Sequence, residues 1–358
     1  MRIAICWSNI SGYMAACWRS LGNTPGIDLK VWAYSPASKG SQAPFDPKSV
    51  LQGIECRLLT HEERTASNSL TDEIVAHKPN LLLTAGWMTP SYTEAITHPK
   101  LRTTHKVMGL DMPWKGTARQ HAACFLKKPY IRNFDTIWAA GERARQYAIR
   151  LSTPNTTIHR GLYAYDAESF NPIAENRPQT GESWPRRFLY LGRYAEVKAI
   201  DTLLEAFALY RRNHDNPWEL HCCGTGPLAH LLKGQTGVID HGFTQPTDLP
   251  SRLAESGALV LASRYEPWGV VVAEAMGSGL PVIASDACGA GVELLHPLHT
   301  GLVFPTDRAN ALAAAMRWIH EHPDQLPTMS RNCHQQATAY TATRWRDRLL
   351  SLPKLQSR

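Results

Sequence analysis

The stretch Leu261–Glu293, LASRYEPWGVVVAEAMGSGLPVIASDACGAGVE, decides how the chain is read. The apolar run leading into it, Ala258 to Ala262, stops at Ser263-Arg264 and predicts a buried strand that breaks into a loop. That loop carries Glu266-Pro267-Trp268-Gly269, after which Val270 to Met276 runs without breakers and predicts a helix starting just past Gly269. Glu266 therefore stands at the loop tip and Glu274, eight positions on, inside the helix. A helix N-terminus offers unpaired backbone N–H groups, here those of Val270 and Val271, and the positive end of a dipole, which suits a phosphate. Ionised carboxylates only accept hydrogen bonds, so the two glutamates suit neutral hydroxyls instead. A sugar joined to a nucleoside through a diphosphate meets both demands. The plainer alternative is a valine-rich core helix with two glutamates placed by chance.

The surroundings narrow the choice. Gly277-Ser278-Gly279-Leu280-Pro281 follows the helix, then the apolar run Val282-Ile283-Ala284-Ser285, then the turn Cys288-Gly289-Ala290-Gly291 ending at Glu293. This order of strand, acidic loop, helix, Gly-Pro, strand and glycine turn resembles the donor-binding signature of the retaining, GT-B-fold glycosyltransferases of family 4, the glycosyltransferases group 1. The resemblance implies two Rossmann-like, doubly wound α/β domains facing an interdomain cleft. It also implies that Glu266 and Glu274, matching the family's E-x7-E pair, belong to a nucleotide-sugar site.

A second segment, upstream, carries the same likeness. Phe188 to Leu191 predicts a strand, followed by Gly192-Arg193, Lys198 and an amphipathic helix from Ile200 to Arg211. Arg193 and Lys198 flank a strand-to-helix loop and can each direct positive charge at one diphosphate, whose bridging oxygen gains charge as the glycosidic bond breaks. Their spacing is similar to the family's diphosphate-binding pair, with Ala199 where a glycine is usual. The strand Glu219–Cys223 ends in Gly224-Thr225-Gly226-Pro227, whose glycines allow close approach of backbone to a ligand. The family implication for the donor site is thus Gly12, Arg193, Lys198, Gly224, Gly226, Glu266, Gly269, Val270, Val271 and Glu274.

The N-terminal half alternates strand and helix signals, beginning with Arg2–Trp7, the turn Ser8–Gly12 and a helix from Tyr13 to Leu21. Gly12 sits where the family places a glycine loop. An apolar strand ending at Leu110 delivers Asp111 to the carboxyl edge of the sheet, where open α/β sheets hold ligands. The resemblance gives Asp111 a place facing the transferred sugar; a cap for the turn before Pro113 is the alternative. Asp111, Glu266, Arg193 and Lys198 are accordingly the candidate catalytic residues. Trp87 and Trp114 are candidate stacking surfaces for a sugar ring, against ordinary packing. Arg160-Gly161-Leu162-Tyr163 stands where the family has Asn-Gly-hydrophobic-Asp.

The expected domains are an N-terminal acceptor domain over 1–165, a Pro-rich linker over 166–187, a donor domain over 188–334, and a C-terminal helix and tail over 335–358 returning to the first domain. At 358 residues the chain suits two cores. With 43% hydrophobic and 19% charged residues it excludes a disordered protein. Eight cysteines without a C-x-x-C pair argue against a zinc ribbon or a disulfide framework, and no aspartate pair of the metal-binding kind ends a strand. No metal and no cofactor beyond the donor substrate is expected. With no apolar run of spanning length and no signal-peptide pattern, the expectation is a cytoplasmic protein.

The expected activity is retaining, metal-independent transfer of a sugar to an acceptor hydroxyl. A nucleotide-sugar 2-epimerase-like enzyme and a non-catalytic nucleotide-sugar binding protein are the alternatives. The net charge of +7 concentrates between residues 101 and 150, where ten Lys and Arg face three Asp and Glu. An anionic partner would explain it, either phosphate-bearing lipid at a membrane surface or nucleic acid carrying a modified base. A lipid-linked or polysaccharide acceptor ranks ahead of DNA because Phe125-Leu126 beside Lys127-Lys128 adds apolar contact; a solvated face is the remaining reading.

Overall fold

The computed structural model describes residues 1–34, 46–60, 62–64, 68–212 and 214–352. They form two compact units, one taking the chain up to Ala164 together with Ala342 onward, the other Tyr165–Thr341.

The first unit is built on seven strands: β1 (Arg2–Trp7), β2 (Asp28–Tyr34), β3 (Cys56–Leu59), β4 (Leu81–Ala85), β5 (His105–Leu110), β6 (Thr136–Ala139) and β7 (Thr157–Arg160). Their order is β3-β2-β1-β4-β5-β6-β7 and every pair is parallel. The chain winds outward from β1 and then restarts on its other side at β4, which leaves a crevice at the carboxyl ends of these two strands. Ile3, Ala4, Ile5 and Cys6 along β1 are fully buried, as a central parallel strand covered on both faces must be.

The second unit repeats the plan with β8 (Arg187–Leu191), β9 (Glu219–Cys223), β10 (Val238–Asp240), β11 (Ala258–Leu261), β12 (Val282–Ser285) and β13 (Gly301–Phe304). The order β10-β9-β8-β11-β12-β13, again all parallel, puts the reversal between β8 and β11. Loops after β8 and β11 are the two that carry the sequence motifs, so the winding alone brings Arg193, Lys198 and Glu266 to one sheet edge.

Two expectations about boundaries need correction. Residues 166–187 contain a helix, Ala167–Glu175, that belongs to the second unit. Asp166 caps it by accepting from the Glu168 N–H at 3.2 Å, and Phe170 buries against Tyr165. Pro172 inside that helix is what makes the sequence look like a linker, because proline removes one helical hydrogen bond. Just after it, the buried Arg177 donates to the carbonyls of Leu253, Ser256 and Ser278, tying the ends of two other helices to this segment.

The single helix expected within 335–358 is the end of one helix and the whole of another. Leu326–Ala337 stays in the second unit, the chain turns at Thr338–Tyr340, and Ala342–Ser351 packs on the Gly12–Gly22 helix of the first. Trp345 fixes that last helix: its ring stacks on Trp138 at 5.1 Å, and its indole N–H donates to the Leu162 carbonyl at 2.7 Å. Among the described residues no helix is long and apolar enough to cross a membrane.

Candidate functional site

In the second unit the motif residues converge on one loop system. Lys198, at the end of the short turn Glu196–Lys198, forms an ion pair with Glu266, and both side chains are largely shielded. The Ser263 hydroxyl also donates to Glu266, at 3.3 Å. The two loops are stapled through their backbones, since the Arg264 N–H donates to the Val197 carbonyl at 2.9 Å. The Arg264 guanidinium completes the staple. It donates to the Glu196 carbonyl at 2.8 Å and forms ion pairs with Asp201 and Asp307, both at 2.7 Å. The hydrogen bonds from Arg264 hold the Asp201 carboxyl below its usual range.

Arg193 is exposed on the neighbouring turn, its own carbonyl accepting from the Tyr190 hydroxyl at 2.8 Å. Burial, then Cys222 and Glu266, push the Tyr190 hydroxyl upward, while Arg193 acts against them, so Arg193 and Glu266 both lie within electrostatic reach of this ring. Ala199 adopts the left-handed conformation, φ 53° and ψ 47°. That conformation is the physical reason a glycine is usual there, and the fully buried methyl group of Ala199 offsets part of the strain.

The helix Val270–Gly277 starts at Gly269, which has φ 93°, and no side chain caps its first turn. The amide groups of Val270 and Val271 thus stand in an uncapped first turn at the positive end of the helix dipole, where an anion is favoured. A Cβ at Gly269 would press on the Glu266 side chain at 3.0 Å and on Cys288 Sγ at 3.3 Å. Gly269→Ala should cost about 1–3 kcal/mol of stability and displace Glu266, read as a lower urea midpoint together with weaker nucleotide binding. An alanine variant with wild-type stability would mean the backbone here has another comfortable conformation.

Glu274, one turn into the same helix, is only partly exposed, and its carboxylate has no hydrogen bond among the described residues. Burial, helped by the nearby Asp166 charge, raises its pKa to about 7. An unpartnered carboxylate at reduced dielectric is expensive unless a ligand supplies donors. Gly224 and Gly226 have a packing reason for being glycine: a Cβ on either would collide with the Gly192 or Tyr194 carbonyl, where two protein loops approach closely.

The remaining two candidates lie in the first unit. Gly12 is the first residue of the Gly12–Gly22 helix, capped by Ser11, whose side chain accepts from the Met14 N–H at 3.4 Å. Asp111 follows β5, is exposed, and accepts a 3.0 Å hydrogen bond from the Tyr163 hydroxyl. Burial first, and then Asp111, drive the Tyr163 hydroxyl far above the ordinary tyrosine value, so it stays a donor. Together they border a pocket of about 180 Å³ at the carboxyl ends of β1, β4 and β5, lined also by Trp7, Ser8, Trp87, Met88, Thr89 and Met112. Trp87 thus reaches a cavity. Trp114 instead packs against Tyr147 at 5.5 Å with the Arg150 guanidinium over its ring at 4.6 Å.

Ser263, Arg264, Tyr190 and Tyr163 were not identified from the sequence. Only Tyr163 left a signal, standing last in the turn Arg160–Tyr163 where the resembling family has an aspartate. Among the described residues no three His, Cys, Asp or Glu side chains gather as metal ligands.

Residues 172–339 match the family profile described as glycosyl transferases group 1. The chain is 34% identical over 258 residues to D-rhamnosyltransferase WbpZ of Pseudomonas aeruginosa, covering 65% of both. It is 27% identical over 258 residues to the glycogen synthase of Mycobacterium tuberculosis, covering 67% of this chain and 59% of that protein. The chain therefore spans less than two thirds of the length of these curated relatives. Among solved structures, Anabaena Alr3699/HepE in complex with UDP aligns over 97% of this chain and 98% of that one, with a TM-score of 0.69 at 18% identity. With the two parallel sheets, this likeness gives the chain a two-domain, Rossmann-like GT-B fold.

Proposed function

We propose that this protein transfers a sugar from a nucleoside-diphosphate sugar to an acceptor hydroxyl. The observation that carries the reading is the pairing of Lys198 with Glu266 beside an uncapped helix that presents the unpartnered Glu274. Positive charge, free amides and hydrogen-bond acceptors for hydroxyls then occur on adjoining turns, which is the set a nucleotide sugar requires. The group 1 match over 172–339 covers these residues, and the relatives named above transfer sugars or hold UDP by their names.

In this reading Lys198 and Arg193 take the diphosphate with the Val270 and Val271 amides, Glu274 accepts from the ribose hydroxyls, and Glu266 orients the sugar. Transfer is retaining and needs no metal: the acceptor hydroxyl attacks from the leaving-group side, a diphosphate oxygen takes its proton, and the nucleoside diphosphate leaves. Asp111 stabilises positive charge developing on the sugar. A lipid-linked or polysaccharide acceptor is favoured over a modified DNA base. The test is transfer of labelled sugar from UDP- and GDP-sugars, with and without chelator, after a thermal-shift screen of the matching diphosphates. Binding without transfer or hydrolysis would leave only a binding protein, sugar interconversion without acceptor an epimerase, and loss of rate with chelator a metal-dependent enzyme.

Tyr163→Phe separates the Asp111 role from the donor site. Removing the hydroxyl frees the carboxylate to rotate and hydrate, so turnover should fall by roughly tenfold to a hundredfold, the scale of one charge-assisted hydrogen bond, with nucleoside-diphosphate affinity unchanged. Unchanged turnover would show that no role of Asp111 depends on the Tyr163 hydroxyl.

A further inference from the structure

Among the described residues of the first unit, the most exposed large apolar side chains lie side by side with uncompensated positive charge. Phe125 is 78% exposed and Leu126 70%, at the end of the helix Ala118–Leu126. Lys127 and Lys128 come next, also exposed, with Arg119 and Arg132 exposed on either side. None of these four cations has an ion-pair partner among the described residues. Elsewhere in the basic region the charge is partly answered, since Arg145 pairs with Glu142 and Arg150 lies over Trp114. Between Asp111 and Asp135, by contrast, the sequence has five Lys and Arg and no carboxylate.

We propose that this helix and the turn after it seat the protein on an anionic lipid bilayer, Phe125 and Leu126 entering the headgroup layer and Arg119, Lys127, Lys128 and Arg132 meeting lipid phosphates. Apolar side chains flanked by cations are what an interfacial segment requires, because each term alone is weak and the two add. Nucleic acid explains the cations but leaves two large apolar side chains in water. The helix is also mechanically joined to the pocket that Asp111 and Tyr163 border. Gln120, in its first turn, is buried and clips the preceding loop, accepting from the Lys115 N–H at 2.7 Å and donating to the Pro113 carbonyl at 2.8 Å. That loop begins at Asp111 and Met112 on the pocket wall. Nine helical residues span only about 13 Å, so the lipid surface and the pocket stay within reach of one lipid-linked acceptor. This last consequence rests on the sugar-transfer reading; the docking itself does not.

The experiment is co-sedimentation of the full chain with phosphatidylcholine vesicles, with and without about 30% phosphatidylglycerol. Wild type should pellet with the anionic vesicles only, and less in high salt. Lys127→Glu/Lys128→Glu should weaken the association at least about tenfold, and Phe125→Ser/Leu126→Ser should weaken it in a way salt does not mimic. All four side chains are exposed, so the melting temperature and nucleotide binding of both variants should match wild type. No pelleting with anionic vesicles, or equal pelleting of wild type and variants, overturns the proposal. So does a salt-sensitive shift of DNA without vesicle binding, or self-association in sedimentation velocity that Phe125→Ser/Leu126→Ser abolishes. Because pelleting needs no sugar transfer, its failure leaves the enzymatic reading standing, and the reverse also holds.

Discussion

Lys198→Met should lower the rate of sugar transfer by roughly 10²–10³-fold while weakening binding of the intact donor far less. The asymmetry follows from where charge develops. A donor diphosphate is already anionic when bound, but breaking the glycosidic bond adds charge to its bridging oxygen, and only an interaction that strengthens at that moment raises the maximal rate. Lys198 suits this because its ammonium has three donors: one engages Glu266, and the others remain for phosphate oxygens. Methionine keeps the length of the side chain and removes the charge, leaving Glu266 with the Ser263 hydroxyl. Circular dichroism and a urea curve on the same variant separate lost chemistry from a loosened loop. Glu266→Gln should also reduce turnover more than nucleotide affinity, and the double variant should lose less than the product of the two single losses, because the pair acts as a unit. A Lys198→Met enzyme with its maximal rate intact and only its donor affinity reduced would show uniform binding. A Glu266→Gln enzyme that loses nucleotide affinity yet keeps full turnover would exchange the two roles.

Much of the fold was legible in the sequence, because buried parallel strands are short apolar runs and the helices between them have the other period. β1, β2, β9, β11 and β12 all announce themselves this way. The misreadings share one cause, which is that long-range packing overrides a local signal. Pro172 reads as a breaker, yet Asp166, Phe170 and Arg177 hold its segment to the second unit. Residues 335–350 look like one helix, and nothing local shows that Trp345 will be claimed by Trp138. The site divides in the same manner. Glu266, Arg193 and Lys198 stand out as candidates because charged residues on loops at the carboxyl ends of strands have few structural reasons to be there, and Glu274 because it is the one charged residue of an otherwise apolar helix. Arg264, which staples the two loops, was not, since its partners Asp201, Asp307 and the Glu196 carbonyl lie more than forty residues away in sequence. Tyr163 likewise finds Asp111 across 52 positions.

Glu274→Gln should make the ligand-free protein more stable at pH 8 and make it a worse nucleotide binder. The folded protein holds this carboxyl at about 7 against a usual value of 4.5, so between those values it keeps a proton that the unfolded chain releases. The stability contributed by Glu274 is thus fully present below the unfolded value and is lost as pH rises through about 7. Discounted for partial exposure, the loss is on the order of 1–3 kcal/mol, and glutamine, which never ionises, should recover it at pH 8 as a higher urea midpoint. Ribose hydroxyls donating to the ionised carboxylate would offset the same cost in wild type, and glutamine should weaken nucleoside-diphosphate binding by about 1–3 kcal/mol. Wild-type affinity should rise from pH 6 to pH 8 relative to that of the glutamine variant, which also controls for titration of the phosphate itself. Calorimetry near pH 7 should show a proton released on binding in wild type and less in the variant, as the ligand draws the carboxyl pKa down. Equal affinities, or the same pH slope in both proteins, would place the ribose elsewhere and leave Glu274 as a strained core carboxyl.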